Sequence, residues 1–169
     1  MLDGIDYKKL FEERRKTLET LSNEKDNVLD ATIIEFDKDG RGEYAFLKVK
    51  NRKMLLFFPD FSAYGWNELD NKKQLHKLNG KKIKVFLDLF LIVEKDMRLS
   101  SLPLKKIQYK KVGAEYTING KLQEKIPNID NKFVVNCGIP IYITVPEKMK
   151  LKIGDWIQAE GRLDAYLAK

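Results

Sequence analysis

The sequence predicts a mainly β protein introduced by one amphipathic helix. Three observations carry this. Apolar residues recur at three- and four-residue spacing only near the N-terminus, and from Val28 onward they alternate. Gly, Pro, Asn and Asp punctuate the rest at short intervals, as turns between strands do. Hydrophobic residues make up 43% of the 169, enough to fill a core and to exclude disorder by composition.

Residues 5–22 place Tyr7, Leu10, Phe11, Leu18 and Leu21 on one helical face, with Glu12, Glu13, Arg14, Arg15 and Lys16 toward water. This helix is expected to cover a barrel, or else to bind a partner. Strands are expected at 31–36, 43–50 and 53–58, with Asp39-Gly40 as a hairpin turn and Pro59 as a stop. Residues 62–79 suit a helical connection ending at Gly80, and 81–93 a long strand or two strands joined by a bend. Residues 94–112 are charged, contain Ser100-Ser101 and Pro103, and read as a linker or an irregular edge. Further strands are expected at 116–124, 132–136, 139–145 and 155–167. The expected organisation is a helix over 1–27, a β-domain over 28–94, a linker or edge over 95–112 and a second β-domain over 113–169.

The net charge of +7 is unevenly spread. Residues 1–30 hold six Lys/Arg and eight Asp/Glu, net −2; residues 31–111 hold eighteen and ten, net +8; residues 112–169 hold eight and seven, net +1. A basic central segment favours a polyanionic partner, although lysines also serve solubility. Strand alternation locates the charge. Opposite the apolar face Ala45, Leu47, Val49 lie Tyr44, Phe46, Lys48 and Lys50; opposite Ile83, Val85, Leu87 lie Lys82, Lys84, Phe86 and Asp88. Aromatic rings stack on bases and lysines track phosphates, so Tyr44, Phe46, Phe86, Lys48, Lys50, Lys82 and Lys84 are the candidate binding residues. The competing reading makes Tyr44, Phe46 and Phe86 a second small core under the N-terminal helix. Met54 to Phe58 is apolar on both faces and reads as a central strand.

The strand order, the run Leu55-Leu56-Phe57-Phe58-Pro59-Asp60-Phe61-Ser62 and the later Gly80-Lys81-Lys82-Ile83-Lys84-Val85 resemble RNA-binding S1-type OB domains. Leu151-Lys152-Ile153-Gly154-Asp155-Trp156-Ile157-Gln158-Ala159-Glu160-Gly161-Arg162-Leu163 is similar to the late strand of single-stranded-DNA-binding OB domains. The resemblance implies one or two OB-like five-stranded barrels that bind single-stranded DNA or RNA. On the last strand, Trp156, Arg162 and Tyr166 share the face opposite the apolar one and form a second candidate face, for nucleic acid or a protein subunit.

Catalytic patterns are poor. The single histidine, His76, sits among lysines; the single cysteine, Cys137, reads as a buried thiol. Together they are too few for a zinc site, and no metal or cofactor is expected. Asp37, Asp39 and Glu43 read as a solvated hairpin tip rather than a calcium loop, and no phosphate-binding glycine loop is present. One cysteine, no apolar stretch long enough for a bilayer and no basic-then-apolar leader lead to the expectation of a cytoplasmic location without membrane contact. The expected function is non-enzymatic nucleic-acid binding; the alternative is an OB-fold assembly subunit. The oligomeric state stays open.

Overall fold

The computed structural model describes residues 4, 6–36, 44–59, 76–91 and 94–168. Helix α1 (Tyr7–Ser22) is capped by Asp6, whose carboxylate accepts from the Lys9 N–H at 3.1 Å, and it ends at Asn23. Ten strands follow among the described residues: β1 (Leu29–Phe36), β2 (Tyr44–Val49), β3 (Arg52–Phe57), β4 (Lys82–Phe90), β5 (Met97–Leu99), β6 (Lys106–Tyr109), β7 (Glu115–Lys125), β8 (Lys132–Asn136), β9 (Pro140–Thr144) and β10 (Trp156–Leu167). The expected turn at Asp39-Gly40 and most of the expected connection 62–79 lie outside the described residues. The described remainder of that connection starts helical at His76 and turns at Gly80, whose φ is 77°. Residues 94–112 supply the short strands β5 and β6, at the two ends of the sheet order.

The strands form one sheet that closes on itself. Hydrogen-bonded neighbours run β4–β1–β2–β3–β10–β7–β8–β9 and back to β4, an eight-strand circuit with β5 on β10 and β6 on β7 as extras. A closed, mainly β barrel with one helix is therefore present, but its circuit is larger than the five strands expected. The reason is the length of β4 and β10, 9 and 12 residues. Each is long enough to carry different neighbours on its two halves. β4 pairs β1 through Lys82–Val85 and β9 through Asp88 and Leu89. β10 pairs β7 through Trp156–Arg162 and β3 at Asp164. The two also pair with each other across the circuit, Val85 to Leu89 against Leu167 to Leu163.

Alternation sets the inside. Ala45, Leu47, Val49, Val85, Leu87, Ile157, Ala159 and Leu163 are all fully buried, in a single core fed by both halves of the chain. A second apolar cluster lies outside the barrel wall. Leu18 and Leu21 of α1 cover Phe86, Ile126, Val134, Tyr142 and Tyr166 there, and the Tyr142 hydroxyl donates to the Leu21 carbonyl at 3.3 Å. Beside this cluster, the Lys132 ammonium donates to Asp88 at 2.8 Å and to Thr144 at 3.1 Å, a nearly dry ion pair that ties β8 and β9 to β4.

Gly161 sits on the inner face of β10 where the Phe90 carbonyl comes against its α-carbon, and a Cβ there would collide with that backbone oxygen. Gly120 on β7 is similarly closed off by the Asn136 carbonyl. Backbone cannot rotate away as a side chain can. Gly161→Ala is therefore expected to cost about 1–3 kcal/mol or more, measured by urea denaturation, whereas Gly80→Ala, with open space around it, carries only the positive-φ strain. Equal stability of Gly161→Ala and wild type would contradict the close approach.

Candidate nucleic-acid interface

The structure divides the candidate residues into three groups by what lies over the outer face of the wall. The first group is covered. Phe86 is 0% exposed and Tyr166 6%. Their rings stack at 5.3 Å and 16°, and Phe86 meets Tyr142 edge-on at 5.8 Å. Alternation correctly places Phe86 outside the barrel, but α1 lies over it, so it is core by the competing reading and offers no face to a base. The same burial removes Tyr166 from the second candidate face.

The second group is a basic row. Register partners across four strands read Lys53, Lys48, Thr32, Lys82 from β3 through β2 and β1 to β4. Lys48, Lys53 and Lys82 are exposed. Lys50 is exposed in the β2–β3 turn, at φ 53°. Lys84 is exposed as well but lies opposite the acidic Asp30. Lys53 reaches two ways: its ammonium is 3.6 Å from Glu35 and 4.7 Å from the centre of the Phe46 ring.

The third group is a row of planar side chains four residues further along β2. Tyr44 and Phe57 are register partners with rings 5.0 Å apart. The Arg162 guanidinium lies 4.0 Å from the Phe57 ring and 5.0 Å from Phe90. Its edge is taken by Asp164, which accepts from Nε at 2.6 Å and from a terminal nitrogen at 3.0 Å. Burial works against the Arg162 charge, but these hydrogen bonds outweigh it and hold its pKa above the ordinary value. With its edge occupied by Asp164 and both rings within 5.0 Å, Arg162 links Phe57 to Phe90 in the row. Phe90, 54% exposed, ends it. Phe46 is half-buried between the basic row and the aromatic row.

Trp156 is half-buried at the start of β10 with the Lys121 ammonium 5.9 Å from its ring. Six residues of strand, about 20 Å, separate it from Arg162. Trp156, Arg162 and Tyr166 thus share a strand face without forming one site.

Phe57 and Phe90 were missed by the sequence reading. Phe57 lies in a run apolar on both sides, which resembles a central buried strand. Phe90 was hidden in a long apolar segment. The available signal was that β3 keeps an apolar outer face next to a β2 whose outer face is mixed. His76 stacks on Phe36 at 4.1 Å. No helix is long and apolar enough to cross a membrane, and no metal-holding cluster occurs, among the described residues. No protein-family model matches the chain, and comparison with curated proteins finds no significant similarity.

Cys137 is completely buried, and burial pushes its thiol up to about 12 against the pull of the nearby Arg52 charge. A neutral thiol is a poor nucleophile. A disulfide reagent at pH 8 is expected to leave folded protein unlabelled and to label one thiol per chain in denaturant. Between the ordinary thiol range and about 12, the unfolded chain releases this proton and the folded chain does not. The contribution to stability is therefore complete below the ordinary thiol pKa and falls as pH rises above it; a midpoint in urea that climbs from pH 8 to pH 10 would contradict this.

Proposed function

We propose that the protein binds single-stranded nucleic acid without catalysis, through the outer face of β2, β3 and the junction of β4 with β10. The observation that carries the proposal is the pairing of an exposed basic row with a row of planar groups, one on the same strands as the other. Lysines supply affinity for phosphates without reading sequence, and open aromatic faces supply stacking that every base can use. Among the described residues, neither Lys48 nor Lys82 has an acidic partner within ion-pair distance. The only long helix of the described residues lies against the barrel, so none of the described elements projects to read a major groove.

Strand order supports an OB-like reading of the barrel. The β4–β10 ladder splits the circuit into two rings of five, β1-β2-β3-β10-β4 and β7-β8-β9-β4-β10. In each, three antiparallel strands lead to a parallel contact, β3 with β10 and β9 with β4. Each ring thus resembles the five-stranded OB plan, with the fourth and fifth strands shared in exchanged roles.

An assembly role is the second reading, favoured by exposed Leu99, Leu102 and Leu104, at 59%, 65% and 42%. Light scattering that shows a stable oligomer, combined with no oligonucleotide binding at low salt, would select it over the first.

Four variants test the main proposal by fluorescence anisotropy with a labelled single strand, beside thermal melts. Phe90→Ala is expected to weaken binding by about 1–3 kcal/mol with little change in melting. Phe46→Ala is expected to do the same. Lys48→Ala is expected to lower the salt slope by about 0.7, one phosphate contact. Phe86→Ala is expected to destabilise by about 3–5 kcal/mol while the folded fraction keeps its affinity. Normal binding by folded Phe90→Ala and Phe46→Ala would reject the stacking face.

A further inference from the structure

A cleft of about 510 Å³ opens between the outer face of β2–β3 and the strands β6–β7. Phe46 and Leu55 line one side, Tyr109 and Tyr116 the other, and the exposed Arg52 and Lys53 also line it. Its size lies within the usual range for small-molecule sites, about 300–1,000 Å³. Two segments that bound it are basic, whereas β7 is balanced, with Glu115 and Glu124 against Lys121 and Lys125. Residues 46–53 contain Lys48, Lys50, Arg52 and Lys53 and no acid; residues 104–111 contain Lys105, Lys106, Lys110 and Lys111 and no acid. Glu35 engages Lys53 at 3.6 Å and Glu160 engages Lys110 at 2.9 Å; the other six form no ion pair among the described residues. Rings on opposed walls and uncompensated cations on both sides fit a ligand that is planar, aromatic and anionic.

The tyrosine hydroxyls and the Leu55 backbone groups in the cleft wall are already used. The Leu55 N–H donates to the Tyr116 hydroxyl at 2.9 Å, and that hydroxyl donates to the Leu55 carbonyl at 2.9 Å. The Tyr109 hydroxyl donates to the Gly113 carbonyl at 2.8 Å. Burial pushes the Tyr116 hydroxyl up to about 12, against the pull of its bond to Leu55, so this clasp stays protonated. That leaves the Arg52 and Lys53 heads as the charged groups of the cleft, suited to phosphate, while the rings supply stacking.

We infer that this cleft receives one unstacked base of a bound single strand, held between Phe46 and Tyr109 while its phosphates pass along the flanking basic segments. The inference rests on the nucleic-acid reading above. It adds a site distinct from the row Tyr44–Phe57–Arg162–Phe90 and assigns a role to Tyr109.

The test uses the full chain and oligonucleotides carrying one 4-thiouridine at successive positions, with ultraviolet cross-linking and mapping by mass spectrometry. One register is expected to cross-link to Phe46 or Tyr109, while neighbouring registers mark Tyr44 or Phe90. An abasic site at the cleft register is expected to weaken binding about tenfold in wild type, a stacking-sized loss, and not further in Tyr109→Ala. Tyr109→Phe keeps the ring and should bind as wild type. Cross-links confined to Tyr44, Phe57 and Phe90, with normal affinity in folded Tyr109→Ala, would overturn the cleft and leave the row standing. Equal loss of heparin binding in Tyr109→Ala would overturn the base assignment, since heparin has charge and no bases. Absence of binding by every oligonucleotide at low salt would overturn the underlying reading itself.

Discussion

The antiparallel ladder between β4 and β10 is the constraint on which the rest depends. Five register pairs, Val85 to Leu89 against Leu167 to Leu163, join a strand from the middle of the chain to its last strand. Remove that ladder and both five-member rings open. The inner sides of the two strands, with Val85, Leu87, Leu89, Leu163 and Ala165, are part of one continuous core. Their outer sides hold Phe86, Asp88, Phe90, Arg162, Asp164 and Tyr166, which place the helix, the buried ion pair and the end of the aromatic row. Long-range closure of this kind costs chain entropy before it gains contacts. The return is that residues far apart in sequence, Phe57 and Phe90, are both brought against Arg162 on one wall.

Both barrel faces therefore carry information. Inside, the chain needs only apolar side chains of the right volume. Outside, three different covers act on adjacent parts of the wall: α1 over Phe86 and Tyr166, a charge network at Asp88 and Lys132, and solvent at Phe90 and Lys48. Removing Asp88 would leave the buried Lys132 ammonium without its partner, a cost of several kcal/mol, so that pair is more useful as a register lock than as a source of net stability.

The legibility of this structure in sequence follows the same division. Period-two alternation identified the inner faces of β2, β4 and β10 because a strand has only two sides and one was uniformly apolar. It could not say what would lie over the other side. Phe46 and Phe86 have similar local patterns, a ring two residues from a lysine on the same strand face, yet one borders a cleft and the other lies under α1. The difference is a long-range contact between residues 18–21 and 86, which no local period encodes. The exchange of partners along β4 and β10 was equally invisible. It appears in sequence only as unusual strand length, and the extra length of 81–93 was read as one strand or two joined by a bend. Residues 94–112 look irregular because β5 and β6 are only three and four residues long, too short to show a period.

One local rule is broken on the basic row, and the break bears on function. Lys48 and Lys53 are direct register partners, a like-charge pair that a sheet ordinarily avoids. In water the repulsion is about 1 kcal/mol at contact distance and less with salt, and Lys53 reduces it further by turning toward Glu35 and over Phe46. No packing gain offsets what remains, since both side chains are exposed. Sequences that fold well agree across local and global preferences, and departures concentrate where a surface has another task. A polyanion laid across β3, β2, β1 and β4 would turn this repulsion into attraction, because each phosphate would sit among several cations. The same ligand would free Lys53 from Glu35 and leave Phe46 open to a base. On the proposed function, the pair is a small cost in the isolated fold that would become favourable in the complex, and the basic row and the adjoining cleft would then act as one surface.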